Sequence, residues 1–272
     1  MRKNITNILL NIFIILITII WVFPIFWVFI NSFKSTQSII SKELILLFKP
    51  TFEHYKYIFT IGYFKRYLIN SIIVAIFSTV ISVVGGSLTA YSLARFNTGG
   101  RNYALWILSS RMMPPAILII PFYIMFRELG ILNTWYVLII AYTTFNLSFV
   151  VWVMKGFFEE IPLDIEEAAL IDGSSRLGAF FSIVVPLAKP GIIATSIFCL
   201  VFSWNEFLFA LVLSVSKNAK TLPVAANDFI TGYAINWGPL FASGVVIITP
   251  IIIFTLIVQK YIKRGLTLGS LK

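Results

Sequence analysis

Acidic residues, cysteine and histidine are scarce in this 272-residue chain, which holds 11 Asp and Glu, one Cys and one His. A single cysteine, Cys199, excludes an intramolecular disulfide, so the cellular compartment cannot be argued from cysteine. Cys199 lies in an apolar run and His54 in a loop. Far apart in sequence, they offer neither a metal site nor a nucleophile–base pair, and they read as a packed thiol and a solvated imidazole. No catalytic or metal-binding constellation is visible. The chain also lacks a Gly-Lys pair, so it cannot cradle nucleotide phosphates in the P-loop manner.

Charge of either sign is thin. Charged residues make up 12% of the chain and hydrophobic residues 59%, with a mean hydropathy of +0.93. A soluble domain carries about 25% charged residues. A soluble fold of this length could not hide so much apolar surface, which makes the bilayer the solvent. The net charge of +10 would suggest nucleic acid in a soluble protein. Here the basic residues flank apolar runs, as in membrane loops, and no nucleic-acid partner is expected.

Six runs are long and apolar enough to span: about 8–30, 67–94, 102–126, 129–154, 191–216 and 238–259. They are continuous and do not alternate, which predicts an all-α polytopic membrane protein of six transmembrane helices in a single domain, 1–272. The first run follows Arg2 and Lys3 but is too long for a signal core, and no small-x-small site follows, so it reads as a retained helix. Six spans place both termini on one side. With that side cytoplasmic, inner segments hold eleven basic residues and outer loops nine. Most of the nine sit in one long loop where the positive-inside rule loses force, so the N-in, C-in orientation rests on the basic clusters at the two ends.

Six of the 11 acids fall within fourteen positions: Glu159, Glu160, Asp164, Glu166, Glu167 and Asp172. They open the long inner loop, 155–190. Its pattern predicts two short helices joined at Gly173. Asp164 and Glu167 form a capping-box pattern, and Gly173 is suited to the left-handed stop. Ser174 or Ser175 caps the second helix, whose Leu177, Phe180, Phe181 and Val184 make one apolar stripe. Pro186 ends it, and Pro190 suits the first turn of the fifth span. Ala168 and Ala169 between carboxylates suit a knob for another protein's groove. An interfacial loop with solvated acids fits the same physics.

Glu167-Ala168-Ala169, Asp172-Gly173, Ile183, Pro186 and Pro190 together resemble the EAA motif of ABC importer permeases. "RMMPP" (111–115), "SWNEF" (203–207), "KTLPVA" (220–225), "PTFEHYKYIF" (50–59) and the tail "YIKRGLTLGSLK" (261–272) resemble the carbohydrate-importer branch, specifically its shorter, maltose-type second permease. The resemblance spans nearly the whole chain. It implies a sugar-translocating subunit of the cell membrane, with the EAA loop in the cytoplasm docking on an ATPase through Glu166, Glu167, Ala168, Ala169, Asp172 and Gly173. It further implies a second permease, two ATPase subunits that hold the ATP and Mg, and an extracytoplasmic sugar-binding protein contacted by loop 217–237. This chain itself would then need no cofactor and be no enzyme.

Polar residues inside the runs are candidates for the path. Glu206 lies deep in the fifth run beside Trp204 and Asn205, where a carboxylate is costly. Trp204 could stack on a sugar ring and Asn205 could bond its hydroxyls. Alternatively, Asn205 and Glu206 tie helices together or face the second permease. Arg111 precedes Pro114 and Pro115, which predict a kinked or broken third span. Its shallower position separates it from Glu206 and makes it a gate or interface residue rather than a sugar ligand. Asn146 in the fourth run is a further polar candidate, and a lone Asn of this kind also suits helix glue. The competing class is a stand-alone secondary transporter, which calls for midplane acids and an internal repeat. The chain shows one deep acid and no convincing repeat.

Overall fold

A computed structural model describes residues 2–60, 63–96 and 98–268, with side chains at 6–60, 63–96, 98–100, 102–257 and 259. The side chains of Arg2, Lys3, Arg101 and the tail motif 261–272 lie outside the described residues. In chain order the helices are α1 (Arg2–Asn31), α2 (Thr36–Ile40), α3 (Glu53–Thr60), α4 (Phe64–Phe96), α5 (Gly100–Met112), α6 (Pro115–Glu128) and α7 (Trp135–Glu159). Then come α8 (Leu163–Ile171), α9 (Arg176–Ala179), a π-helical turn (Phe180–Val184), α10 (Val185–Leu187), α11 (Lys189–Asn205), α12 (Leu208–Leu213), α13 (Leu222–Asn227) and α14 (Trp237–Leu268).

Among the described residues, four helices are long and apolar enough to cross a membrane: α1, α4, α7 and α14. Two bent pairs bring the number to six if each is one span. One is α5 with α6, bent by 91°, and the other is Arg176–Leu187 with α11, bent by 78°. The first break follows from sequence. Pro114 and Pro115 lack the N–H groups that would continue α5, and Met113 before them is extended at φ −66°, ψ 130°. Helix α7 starts later than the fourth apolar run because Gly130 at φ +67° and Asn133 at φ +61° occupy the turn before it.

The chain divides into two compact units. The first comprises residues 1–65 and 225–249. Phe29, Phe33, Phe52 and Tyr55 cluster edge to face or tilted within it. The Tyr55 hydroxyl lies 2.8 Å from that of Ser32. His54 is not a solvated loop residue: it sits on α3, buried, with Nε2 2.9 Å from the Lys34 carbonyl. Its ring occupies the space where a Cβ on residue 238 would stand, which accounts for glycine there.

The second unit comprises residues 66–224 and 250–272. Helix α7 forms its axis and buries residues on every side, from Val137 and Leu138 to Met154 and Phe158. Near one end of α7, Val74, Phe126, Leu138, Phe209 and Leu213 form a core. Near the other, Ala90, Tyr91, Met154, Phe158, Phe180, Val184 and Cys199 form a second, in which the thiol is fully enclosed. Between them α4 approaches α7 closely, for a Cβ on Gly86 would lie 2.7 Å from Val150 Cβ. Asn70 and Ser71 hold the segment after α12. The Asn70 amide donates to the Asn218 and Lys220 carbonyls at 3.0 and 2.9 Å, and Ser71 Oγ accepts the Leu222 N–H at 2.8 Å.

Candidate functional site

The acidic segment folds as an elbow. Helix α8 starts at Leu163 with Pro162 in the capping position and no side-chain cap. Asp164 therefore lies in the first turn, where it meets the positive end of the helix dipole, and the capping box does not form. The stop is as the sequence indicates. Gly173 is left-handed at φ +87°. Ser174 N–H donates to the Ala169 carbonyl at 3.0 Å and Gly173 N–H to Leu170 at 3.1 Å, the two bonds of a Schellman ending. Of the two candidate serines, Ser175 caps α9, accepting the Gly178 N–H at 3.0 Å.

The apolar stripe of the second helix does not hold together. The π-helical turn changes the angular step, so Phe180 and Val184 are buried while Leu177 and Phe181 are exposed. Pro186 does not end the helix, which runs to Leu187 and turns at Ala188. Pro190 falls in the first turn of α11.

The acids separate into two kinds. Glu159, Glu160, Asp164, Glu167 and Asp172 are exposed, as are Ala168 and Gly173. Ile171 is 85% exposed, which makes the outer face of α8 apolar as well as acidic. Glu166 and Ala169, three residues apart, face inward and are buried. Glu166, expected among the docking residues, has its carboxylate engaged within the chain. Arg95 Nε donates to Oε1 at 2.6 Å, with Nη2 2.5 Å from the same oxygen, and Tyr91 O–H donates to Oε2 at 2.8 Å. Sequence reasoning missed Arg95 and Tyr91, since nothing local relates them to a residue some seventy positions on.

The polar residues of the spans also sort unequally. A cavity of about 220 Å³ is lined by Arg111, Tyr142, Phe145, Asn146, Phe202, Ser203 and Glu206, with Pro115 and Phe209. Arg111 and Glu206 thus share one wall, against the expectation that depth separates them. Depth counted along a straight helix fails at the 91° bend after α5. The Arg111 guanidinium lies 4.7 Å from the Phe149 ring and 4.9 Å from the Phe202 ring, and donates to the Phe145 carbonyl at 3.2 Å. The Asn146 amide donates to Ser203 Oγ at 2.8 Å, which lies 2.9 Å from Ser78 Oγ.

Helix α11 ends at Asn205, and Glu206 is extended at φ −67°, ψ 123°. Its carboxylate accepts the Phe209 N–H at 2.9 Å and the Ala210 N–H at 3.1 Å, starting α12 after the break. The fifth apolar run is therefore not one helix. Ser203 and Glu206, three apart, reach the cavity, whereas Trp204 and Asn205 are turned off that face. Trp204 is buried outside the wall, so it does not present a stacking surface to the cavity. Asn205 is exposed, and its amide donates to the Val201 carbonyl at 3.0 Å.

The elbow braced by Arg95 and the cavity lined in part by Arg111, Asn146 and Glu206 belong to a chain similar to known membrane components. Residues 82–268 match the family described as binding-protein-dependent transport system inner membrane component. The chain is 39% identical over 253 residues to the trehalose transport system permease protein SugB of Mycobacterium tuberculosis, covering 92% of each. It is 34% identical over 277 residues to the trehalose/maltose transport system permease protein MalG of Thermococcus litoralis, covering 100% of this chain and 99% of that one. Its fold matches a chain of a bacterial ABC transporter involved in alginate import with a TM-score of 0.82 at 24% identity, over 96% of this chain and 97% of the other. By its own sequence and by relatives along its whole length, the chain belongs to the family of binding-protein-dependent transport system inner membrane components.

Proposed function

We propose that this chain is the membrane-spanning permease subunit of an ATP-driven sugar importer, turning ATP hydrolysis by partner subunits into alternating access. The elbow carries the reading: a short helix with Glu167, Ala168, Ile171, Asp172 and Gly173 exposed, on a chain with no P-loop of its own. Exposed apolar surface beside fixed acids suits a partner's cleft lined with basic groups. The partners are a second permease, two ATPase subunits holding ATP and Mg, and an extracytoplasmic sugar-binding protein. Relatives named for trehalose and maltose transport support a sugar or oligosaccharide as cargo. Nothing observed favours a stand-alone secondary transporter.

Both termini and the elbow lie in the cytoplasm in this reading, which the basic residues at the two chain ends support. Arg111, Asn146 and Glu206 line the path, with Glu206 also holding α12. Coexpression with the candidate ATPase tests the assembly directly. The tagged chain should bring the ATPase with it and be poorly stable alone. A stable, monodisperse chain that recovers no ATPase would contradict the proposal.

The loop before α14 faces the binding protein in this reading. Residues Leu222, Val224 and Ala225 within it are buried, so cutting there would disturb the fold itself. Its tip is the better target. The Thr231 N–H donates to the Ala234 carbonyl at 3.0 Å, and Tyr233 between them is fully exposed. Tyr233→Ser should raise the binding-protein concentration needed for half-maximal uptake by about tenfold, as losing an aromatic anchor that docking would bury does. Assembly should be unchanged. A wild-type concentration dependence would remove the tip from the docking surface.

A further inference from the structure

The elbow's inner face carries a device that docking does not require. We propose that Arg95, Tyr91 and Glu166 form a latch that fastens the elbow to the end of α4, so that movement of the elbow enters the bundle through α4. The inference rests on the coupling role proposed above for the elbow.

The latch is closed on every side. Arg95 and Tyr91 stand four residues apart, on one face of α4. They take both oxygens of Glu166, and Arg95 Nη2 also donates to the Ile161 carbonyl at 2.9 Å, where the chain leaves α7. The side chains of the ion pair are 5% and 7% exposed. Around it, the Tyr91 ring packs on Phe158 at 5.9 Å and on Phe180 at 4.6 Å. The next residue of α4, Phe96, faces the Arg176 guanidinium of α9 at 4.9 Å. The end of α4 thus grips α7, α8, α9 and the π-helical turn together.

Chemistry distinguishes a latch from ordinary packing. A buried ion pair adds little net stability over apolar side chains of similar volume. What it adds is direction, because a guanidinium and a carboxylate hold one geometry where apolar groups slide. The elbow joins α7 and α11 through the chain, and the Arg95 and Tyr91 side chains hold it to α4. From Tyr91, α4 runs unbroken to Ser78, whose Oγ lies 2.9 Å from Ser203 on the cavity wall. Thirteen residues of helix span about 20 Å, which makes α4 a rod from the elbow to the cavity.

The test uses the full transporter, coexpressed with its partners and reconstituted in liposomes. Pro115, exposed on the cavity wall, is replaced by Cys in a Cys199→Ala background. Labelling by N-ethylmaleimide is compared with and without vanadate trapping by MgATP. Trapping should change the labelling rate of the parent by at least about fivefold, the low end of allosteric coupling. The Arg95→Met/Glu166→Met pair should assemble and hydrolyse ATP, yet show less than a twofold change. Trap-dependent labelling equal to the parent's would overturn the latch. If the Met pair does not assemble, Glu166→Gln, which keeps the shape, decides on the same readout. A parent whose labelling ignores trapping would instead refute the coupling role of the elbow, and the latch with it.

Discussion

Glu206→Ala should lower uptake per assembled complex by at least about tenfold, the rate equivalent of ~1.4 kcal/mol. The carboxylate closes the break in the fifth span by accepting the Phe209 and Ala210 N–H groups, and both of those residues are buried. Alanine leaves two donors without partners, at about 1–3 kcal/mol each. The start of α12 then shifts, and with it the cavity wall that Phe209 shares with Arg111. Glu206→Gln keeps one acceptor oxygen and the side-chain shape, so it should fall between Ala and the parent. Counting complexes separates path from scaffold. If both variants assemble poorly but transport normally per complex, Glu206 is scaffold alone.

Gly86→Leu should prevent accumulation of a stable subunit. A Cβ at this position would stand 2.7 Å from both Cβ and Cγ1 of Val150, and 3.3 Å from the Leu147 carbonyl oxygen. Val150 is fully buried, so it has nowhere to retreat. Separating α4 from α7 would loosen both buried cores, and overpacking of this kind costs about 1–3 kcal/mol before the lost contacts are counted. Gly85, beside it, meets only Leu147 Cδ1 at 3.8 Å, so Gly85→Ala should be tolerated. Detergent-extracted yield and melting temperature read both variants. Equal stability of Gly86→Leu and the parent would show that the helices do not need this approach.

Signals carried within a few residues are legible in the sequence. The unbroken apolar runs announce helices in lipid. Pro114 and Pro115 announce a break, and Gly173 and Ser175 mark the two sides of the elbow, because a missing N–H, a left-handed backbone and a hydroxyl cap are local chemistry. Contacts made across the chain are not legible. Glu166 and Glu167 are neighbours with the same side chain, yet only Glu166 is buried, and that difference depends on Arg95 in another helix. The break at Glu206 contains neither Gly nor Pro. Its only sequence signal is a carboxylate three and four residues ahead of the N–H groups it accepts, which also fits a functional acid. Distances counted along straight helices fail where the chain bends, which is how Arg111 and Glu206 come to share a cavity. Likewise the π-helical turn splits a stripe that a period of 3.6 places on one face.

Uptake and ATP hydrolysis measured together in liposomes test the central claim most directly. The complex holds this chain, its second permease, its ATPases and the loaded binding protein, and the elbow is altered by Glu167→Lys or Gly173→Pro. The first reverses an exposed charge on the docking face, and the second removes the residue whose φ of +87° proline cannot adopt. Both variants should reach the membrane, lose the stimulation of hydrolysis by loaded binding protein, and take up at least about fivefold less substrate per ATP. Wild-type stimulation and uptake in both variants, or uptake by this chain without ATP and its partners, would contradict the account.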